Sequence, residues 1–149
     1  MIWKDLPEDT RRLLLEKRLV PGRILHVHCS FTNPPKHKFL VYICHHSPQC
    51  SFFIINSEIN QFKQNRPSLS QCQVKIDQVS HPFLDHDSYV DCSKVQTISF
   101  KDLSDQLTKS NDGFKNIISL EVKKAILVVV KNTKTLSQQE KIYIQNALQ

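Results

Sequence analysis

Apolar positions along this chain change their spacing several times, and each change predicts an element. Leu13, Leu14, Leu15 and Leu19 give residues 8–20 one apolar side at helical spacing, with Asp9 or Thr10 placed to cap and Pro21-Gly22 to stop. From Arg23 to Phe31 the period falls to two: Ile24, His26 and His28 alternate with Leu25, Val27 and Cys29, as in a strand. The Pro34-Pro35 pair makes residues 33–38 a loop. Phe39 to Cys44 and Ser51 to Asn56 are aromatic and β-branched runs around His45 to Gln49, which predicts a hairpin. Ser57 to Ser70 is polar, with Phe62 as its one large apolar anchor. Cys72 to Ile76 and Ser88 to Phe100 predict two further strands. Lys101 to Leu107 suits a helical turn, and Asn111-Asp112-Gly113 a tight turn. Ile117 to Lys131 and Ser137 to Leu148 suit helices, the second opened by a Ser137…Glu140 capping box. Short strands in the middle with helices at both ends predict an α+β fold built on a small antiparallel sheet or barrel.

Length agrees with one domain. The chain has 149 residues, against roughly 150 for an average domain. The expected division is an N-terminal helix over 1–20, a barrel over 21–100 and a helical tail over 101–149. No apolar run, Ala125 to Val130 included, is longer than six residues, far below the ~20 residues of a spanning helix. No signal-peptide pattern opens the chain, and five cysteines is an odd number. Together these predict a reduced, cytoplasmic protein without a closed disulfide framework. Gly22 and Gly113 are the only glycines. Two distant glycines cannot build a phosphate-cradling loop, which excludes the common nucleotide-binding motifs.

Charge adds a direction to this picture. The net charge of +6 is made of +6 over residues 1–75, −4 over 76–114 and +4 over 115–149. An anionic partner is therefore expected on the first half of the chain.

Three groups of residues could carry chemistry. Cys44-His45-His46-x3-Cys50 could close on zinc, with partners among His26, His28, Cys29, Cys72, His81 and Cys92. No Cys-x2-Cys pair supports it, and cysteines inside strands are commonly small core residues. The run His81-Pro82-Phe83-Leu84-Asp85-His86-Asp87-Ser88-Tyr89-Val90 gathers two histidines, acids and hydroxyls just before a strand. Such groups can pass protons near neutral pH, or simply hold a structured turn. Lys36-His37-Lys38 with Arg23, Lys63 and Arg66 could line a cationic groove for single-stranded nucleic acid. Its neighbours Phe39, Tyr42, Phe52 and Phe53 could stack on bases or belong to the core.

At these residues a resemblance emerges. Pro21-Gly22-Arg23-Ile24-Leu25-His26-Val27-His28 resembles the opening strand of the MazF/PemK-type toxins, and Lys36 to Ile43 their next strand. His86-Asp87-Ser88-Tyr89-Val90 through Ile98 is similar to their late strand, and Ser137 to Leu148 to their closing helix. The segment Cys72-x8-His81-Pro82-Phe83-x2-His86-Asp87-Ser88-Tyr89-Val90 also resembles a little-characterised set of bacterial and mobile-element proteins. The toxin resemblance implies an SH3-like barrel that dimerises and cuts single-stranded RNA without a metal or other cofactor. It also implies an acidic antitoxin partner. The family's arginine falls at His37 or Lys38 here, and its hydroxyl at Ser57. A lysine keeps the charge but loses the bidentate fork.

The leading expectation is thus a toxin-like, metal-independent endoribonuclease. Lys38 would stabilise the phosphate, Ser57 would orient it, and His37, His81 or His86 would act as base and acid. Arg23, Lys36, Lys63 and Arg66 would hold the strand. The alternative is a non-catalytic module binding nucleic acid or protein on the same barrel. A structural zinc module ranks third. A cysteine hydrolase using Cys44 or Cys92 ranks last.

Overall fold

The computed structural model describes residues 5–109 and 111–149. The first four residues of the expected helical segment 1–20 lie outside them. Six strands form one sheet: β1 (Arg23–Cys29), β2 (Lys36–His46), β3 (Gln49–Asn56), β4 (Gln73–Ile76), β5 (Ser88–Ser99) and β6 (Phe114–Ile117). Their order is β4-β5-β3-β2-β1-β6, and every pairing is antiparallel. The helices are α1 (Glu8–Arg18), α2 (Gln61–Gln64), α3 (Pro67–Ser70), α4 (Phe100–Lys109), α5 (Leu120–Asn132) and α6 (Gln138–Leu148).

The α+β class, the antiparallel sheet and the flanking helices are as expected. The sheet is open, however, with β4 and β6 at its two ends. Both of its faces are covered. Ile24, Val41, Ile43, Phe53 and Ile55 pack on one side with Val122, Ile126, Ile144 and Leu148 of α5 and α6. Leu25, Val27, Leu40, Tyr42 and Phe52 pack on the other with Leu15 of α1 and Leu103 and Leu107 of α4. Alternation along each strand divides the apolar residues between two helical layers, so burial does not require the sheet to close on itself.

Local differences have local causes. Helix α1 begins one residue earlier than Asp9, and its N-cap Pro7 gives no side-chain bond. Lys36, His37 and Lys38, expected in a loop, are strand residues because they pair with Cys29, His28 and Val27. The hairpin turn is accordingly only Ser47-Pro48, between β2 and β3. The polar segment 57–70 holds two single-turn helices, α2 and α3. Its expected anchor, Phe62, is 57% exposed. The Arg66 guanidinium lies 3.5 Å over the Phe62 ring instead. Strand β6 falls between the expected turn and the expected helix, sharing only Ile117 with the helix, and its pairing with β1 supplies the missing signal. The capping box is formed, with Ser137 Oγ accepting from Glu140 N–H and Glu140 Oε1 from Ser137 N–H. Among the described residues, no helix is long and apolar enough to cross a membrane.

Gly22 fixes the entrance to β1. Its φ is +88°, its N–H donates to Tyr42 O, and its carbonyl accepts from Ile118 N–H. An L side chain there is strained, and its Cβ would also sit 3.4 Å from Ile117 and Ile118. Gly22→Ala is expected to cost about 1–2 kcal/mol, read as a lower denaturant midpoint at unchanged slope.

Candidate functional site

Alternation along β1 and β2 places four histidine and aromatic side chains on the face that carries Ile24 and Val41. They are His26 and His28 from β1, and His37 and Phe39 from β2. His26 pairs with Phe39, and His28 with His37. The ring of His26 lies 4.4 Å from that of Phe39 and 5.6 Å from that of His37. His37 meets His28 edge-on at 5.4 Å. The loop before β5 folds over this end of the sheet, bringing Phe83 to 5.2 Å from Phe39.

An open pocket of about 160 Å³ is lined there by His26, His37, Lys38, Ser57, Asp85, His86 and Ser88, with Phe39, Ile55 and Leu84 as its apolar part. Of the residues singled out as catalytic, Lys38, His37, Ser57 and His86 thus border one pocket. They come from a strand, the end of another strand and a loop far along the chain. At this volume the pocket fits a phosphodiester group and is too small for a whole ligand of the usual ~300–1,000 Å³ class.

The electrostatics of the pocket are specific. Burial, then the charges of His37 and Lys115, hold the His26 imidazolium below the ordinary histidine range. His26 is therefore mostly neutral near pH 7 and able to accept a proton. His86 is exposed, and its Nδ1 lies 2.8 Å from Asp87 O. A carbonyl can only accept, so Nδ1 carries the hydrogen and Nε2 is the atom left to exchange protons. Ser88 Oγ donates to His86 O at 3.1 Å, which ties the loop to the first residue of β5.

Lys38 behaves differently from the expectation. Its position alternates with Phe39, so its side chain runs to the opposite face with Leu40 and Tyr42. There its Nζ donates to Asn56 Oδ1 at 3.1 Å. Burial and the neighbouring charge of Lys36 lower its proton affinity, with a further contribution from Lys63. Lys38 borders the histidine pocket, but its ammonium belongs to a lysine cluster on the other side of the sheet.

His81 is a further correction. It is fully buried, at 0% exposure, and lies outside the pocket. Its Nδ1–H donates to Asp77 O at 2.8 Å, and its Nε2 accepts from Ser119 N–H at 3.1 Å. Both ring nitrogens are used in holding the loop against the start of α5, so neither can serve a substrate.

The residues expected to hold nucleic acid are also dispersed. The guanidinium of Arg23 donates to Arg18 O and Lys115 O at 3.2 and 3.1 Å. Lys63 Nζ lies 2.6 Å from the buried carboxylate of Asp91. Arg66 is engaged by Phe62, through its ring and its carbonyl. Lys36 is exposed at the start of β2.

The zinc set does not converge. A register shift between Tyr42 and Cys44 re-aims the end of β2. His45 stacks on Phe100 of α4, whereas His46 meets Tyr143 of α6. Cys44 packs in one core and Cys50 in the other. Among the described residues, no group of three or more His, Cys, Asp or Glu is placed to hold a metal. The cysteine-hydrolase reading meets a related obstacle. Cys44 Sγ is 3.1 Å from His46 Nε2, but burial pushes its thiol up to about 11. Cys92 is fully buried, and its thiol is raised further by burial and by Asp91.

Three further residues line the pocket: Asp85 and Ser88, which stand in the candidate run His81 to Val90 without an assigned role, and His26, which the sequence offers only as a zinc partner. His26 and His28 are visible as members of one strand face, but alternation alone does not reveal that His37 stacks beside them. Lys115 is hidden with β6.

No family model matches the chain, and no curated protein matches it. Among solved structures, the chain is similar to the Mycobacterium tuberculosis toxin MazF-mt6, at 15% identity and a TM-score of 0.49, over 77% of this chain and 98% of that one.

Proposed function

We propose that this protein is a metal-independent endoribonuclease acting on single-stranded RNA, with the histidine pocket as its active site. The observation that carries the reading is the convergence of three imidazoles, His26, His37 and His86, with Ser57 and Ser88 in one small cavity. Cleavage of an RNA phosphodiester by its own 2′-hydroxyl needs a base for that hydroxyl and an acid for the leaving oxygen. It also needs positive groups for the charge that develops on phosphorus. His26, with its lowered proton affinity, is the base. His86 is the acid through Nε2, held in orientation by Asp87 O. Lys115, whose charge acts on His26, supplies the positive charge, while Ser57 donates a hydrogen bond to a phosphate oxygen. The 2′-oxygen bonds to phosphorus as the 5′-oxygen leaves with the proton from His86, giving a 2′,3′-cyclic phosphate and a 5′-hydroxyl end.

The reading carries with it a homodimer and an acidic antitoxin segment as partner, both inherited from the toxin resemblance. The non-catalytic alternative draws on one observation: the Lys38 ammonium faces away from the pocket. Under that reading, RNA would bind with a salt dependence set by its phosphate contacts and remain intact.

The test is incubation with mixed single-stranded RNAs in EDTA, followed by identification of product ends. Cyclic-phosphate ends are expected. The rate should rise on the acid side as His26 loses its proton, over a range below the usual histidine value, because only the neutral imidazole accepts one. Intact RNA at every pH, despite saturable binding, would select the non-catalytic alternative.

A further inference from the structure

From the end of β4 into β5 the chain carries the acids Asp77, Asp85, Asp87 and Asp91. Three of them are engaged. Asp77 accepts from Ser80 N–H at 2.8 Å, and Asp87 from Gln78 N–H at 2.8 Å with Lys75 Nζ 3.3 Å away. Asp91 holds Lys63 at 2.6 Å. Asp85 is the exception: its carboxylate takes no hydrogen bond or ion pair from any described residue. Its backbone is nevertheless pinned on both sides. Leu84 before it is buried with Ile55 and Val90, and the Leu84 N–H donates to His81 O at 3.0 Å. His86 after it is tied through Nδ1 to Asp87 O and through its carbonyl to Ser88 Oγ. A side chain fixed at its root and unengaged at its tip is preorganised for a ligand.

Asp85 is exposed and lines the histidine pocket next to His86. The charges acting on His26 are those of His37 and Lys115, so Asp85 is not what tunes the base. At about 160 Å³ the pocket seats a phosphodiester without room for a nucleobase as well. A base must therefore lie across the rim, where Asp85 stands. A carboxylate there repels the phosphate of every substrate, and only a base that brings N–H donors offsets the repulsion. An ionised carboxylate accepts through two oxygens and donates nothing. On the Watson–Crick edge, which is open in a single strand, guanine alone presents two adjacent donors, N1–H and N2–H. Adenine and cytosine present one amino group beside a bare ring nitrogen, whose lone pair opposes the second oxygen. Uracil presents one N–H between two carbonyls.

We propose that Asp85 selects guanine in the leaving nucleotide by accepting hydrogen bonds from its N1–H and N2–H. This inference rests on the histidine pocket being the cleavage site proposed above. His86 there protonates the departing 5′-oxygen, and Asp85 is its chain neighbour in the same pocket. The base that Asp85 meets thus belongs to the nucleotide on the 3′ side of the cut.

Oligoribonucleotides methylated at every 2′-oxygen but one carry a single cleavable bond, and five of them, with G, inosine, A, C or U after that bond, test the proposal. Inosine differs from guanosine only in lacking the N2 amino group. The parent is expected to prefer G over each of the other four by about five- to tenfold in kcat/KM, the low end for a bidentate pair because Asp85 is exposed. Asp85→Asn should bring the ratio of G to inosine close to one and leave A, C and U no slower, since the repulsion goes with the charge. A merely structural role would move all five together. Fully methylated oligomers, which cannot be cut, should rank in the same order by Kd at one fixed salt concentration. Equal parental rates on G and inosine overturn the proposal, as does an Asp85→Asn protein that slows all five alike, or a parent that binds none of the uncleavable oligomers. If those oligomers rank G first and nothing is cut, Asp85 keeps this role and the catalytic reading falls. If RNA is cut without a preference for G, the catalytic reading stands and this inference falls.

Discussion

Replacing His86 by alanine is expected to slow RNA cleavage by about 10²–10⁴-fold, the range that a positioned general acid contributes. One hydrogen bond sets this expectation. Because Nδ1 is committed to Asp87 O, the imidazole has a fixed tautomer and a single exchangeable nitrogen, Nε2. Removing the ring leaves the 5′-oxygen to depart without a proton. It should leave RNA binding nearly intact, because His86 is exposed and packs in neither core. The effect should therefore fall on kcat and spare KM. His26→Ala should also slow the reaction and in addition remove the acid limb of the pH profile, which no loss of stability would do. His81→Phe should alter stability without touching that limb, since the His81 ring nitrogens face Asp77 and Ser119. Cleavage by His86→Ala at the parental rate would overturn the assignment of the acid and, with it, the pocket as the active site.

The contrast between His81 and His86 shows how far the sequence can be read. Both histidines stand in one short run, and their residue types give no reason to separate them. Their roles divide because the chain between them turns once. His81 is drawn beneath Phe83, at 6.2 Å between rings, and bridges to Ser119, which is 38 positions away. That bridge is a tertiary fact. The sheet alternation, by contrast, is legible. A period of two puts Ile24, His26 and His28 on one face, and that face is where the pocket forms. The same period, carried into β2, parts Lys38 from His37. Reading residues 33–38 as a loop conceals it, because strand parity has no meaning in a loop. His45 and His46 cannot be placed by parity in any case, since the shift between Tyr42 and Cys44 reverses it. Gly22 and the Ser137…Glu140 box are fully local signals and are readable as such.

The largest effect expected on stability is at Asp91, which no motif singles out. Its carboxylate is buried in β5 and holds three partners. Lys63 Nζ is at 2.6 Å, Gln73 Nε2 donates at 3.0 Å, and Ser93 donates through both N–H and Oγ. Burial alone would raise its proton affinity, but the Lys63 and Ser93 hydrogen bonds outweigh that and hold it below the ordinary carboxyl range. The network joins the edge strand β4, the single-turn helix α2 and the central part of the sheet through one side chain. Asp91→Ala strands the Lys63 ammonium and leaves a buried Ser93 N–H unsatisfied. Removing one partner of a buried pair costs about 3–5 kcal/mol, and the low end applies because Lys63 keeps 22% side-chain exposure and can hydrate. Asp91→Asn retains an acceptor for Ser93 and should lose less. The sign with pH follows from the direction of the shift. A carboxyl held below its unfolded value adds stability at pH above that unfolded value, near 3.9. The contribution disappears as pH falls through the lower, folded value. The parent should therefore lose denaturant resistance on acidification more steeply than Asp91→Asn, and the two curves should converge at the acid end. Parallel curves over the same range would mean that Lys63 and Asp91 contribute no net charge pairing to the fold, and that the cost of Asp91→Ala is one of packing and the unpaired Ser93 N–H alone.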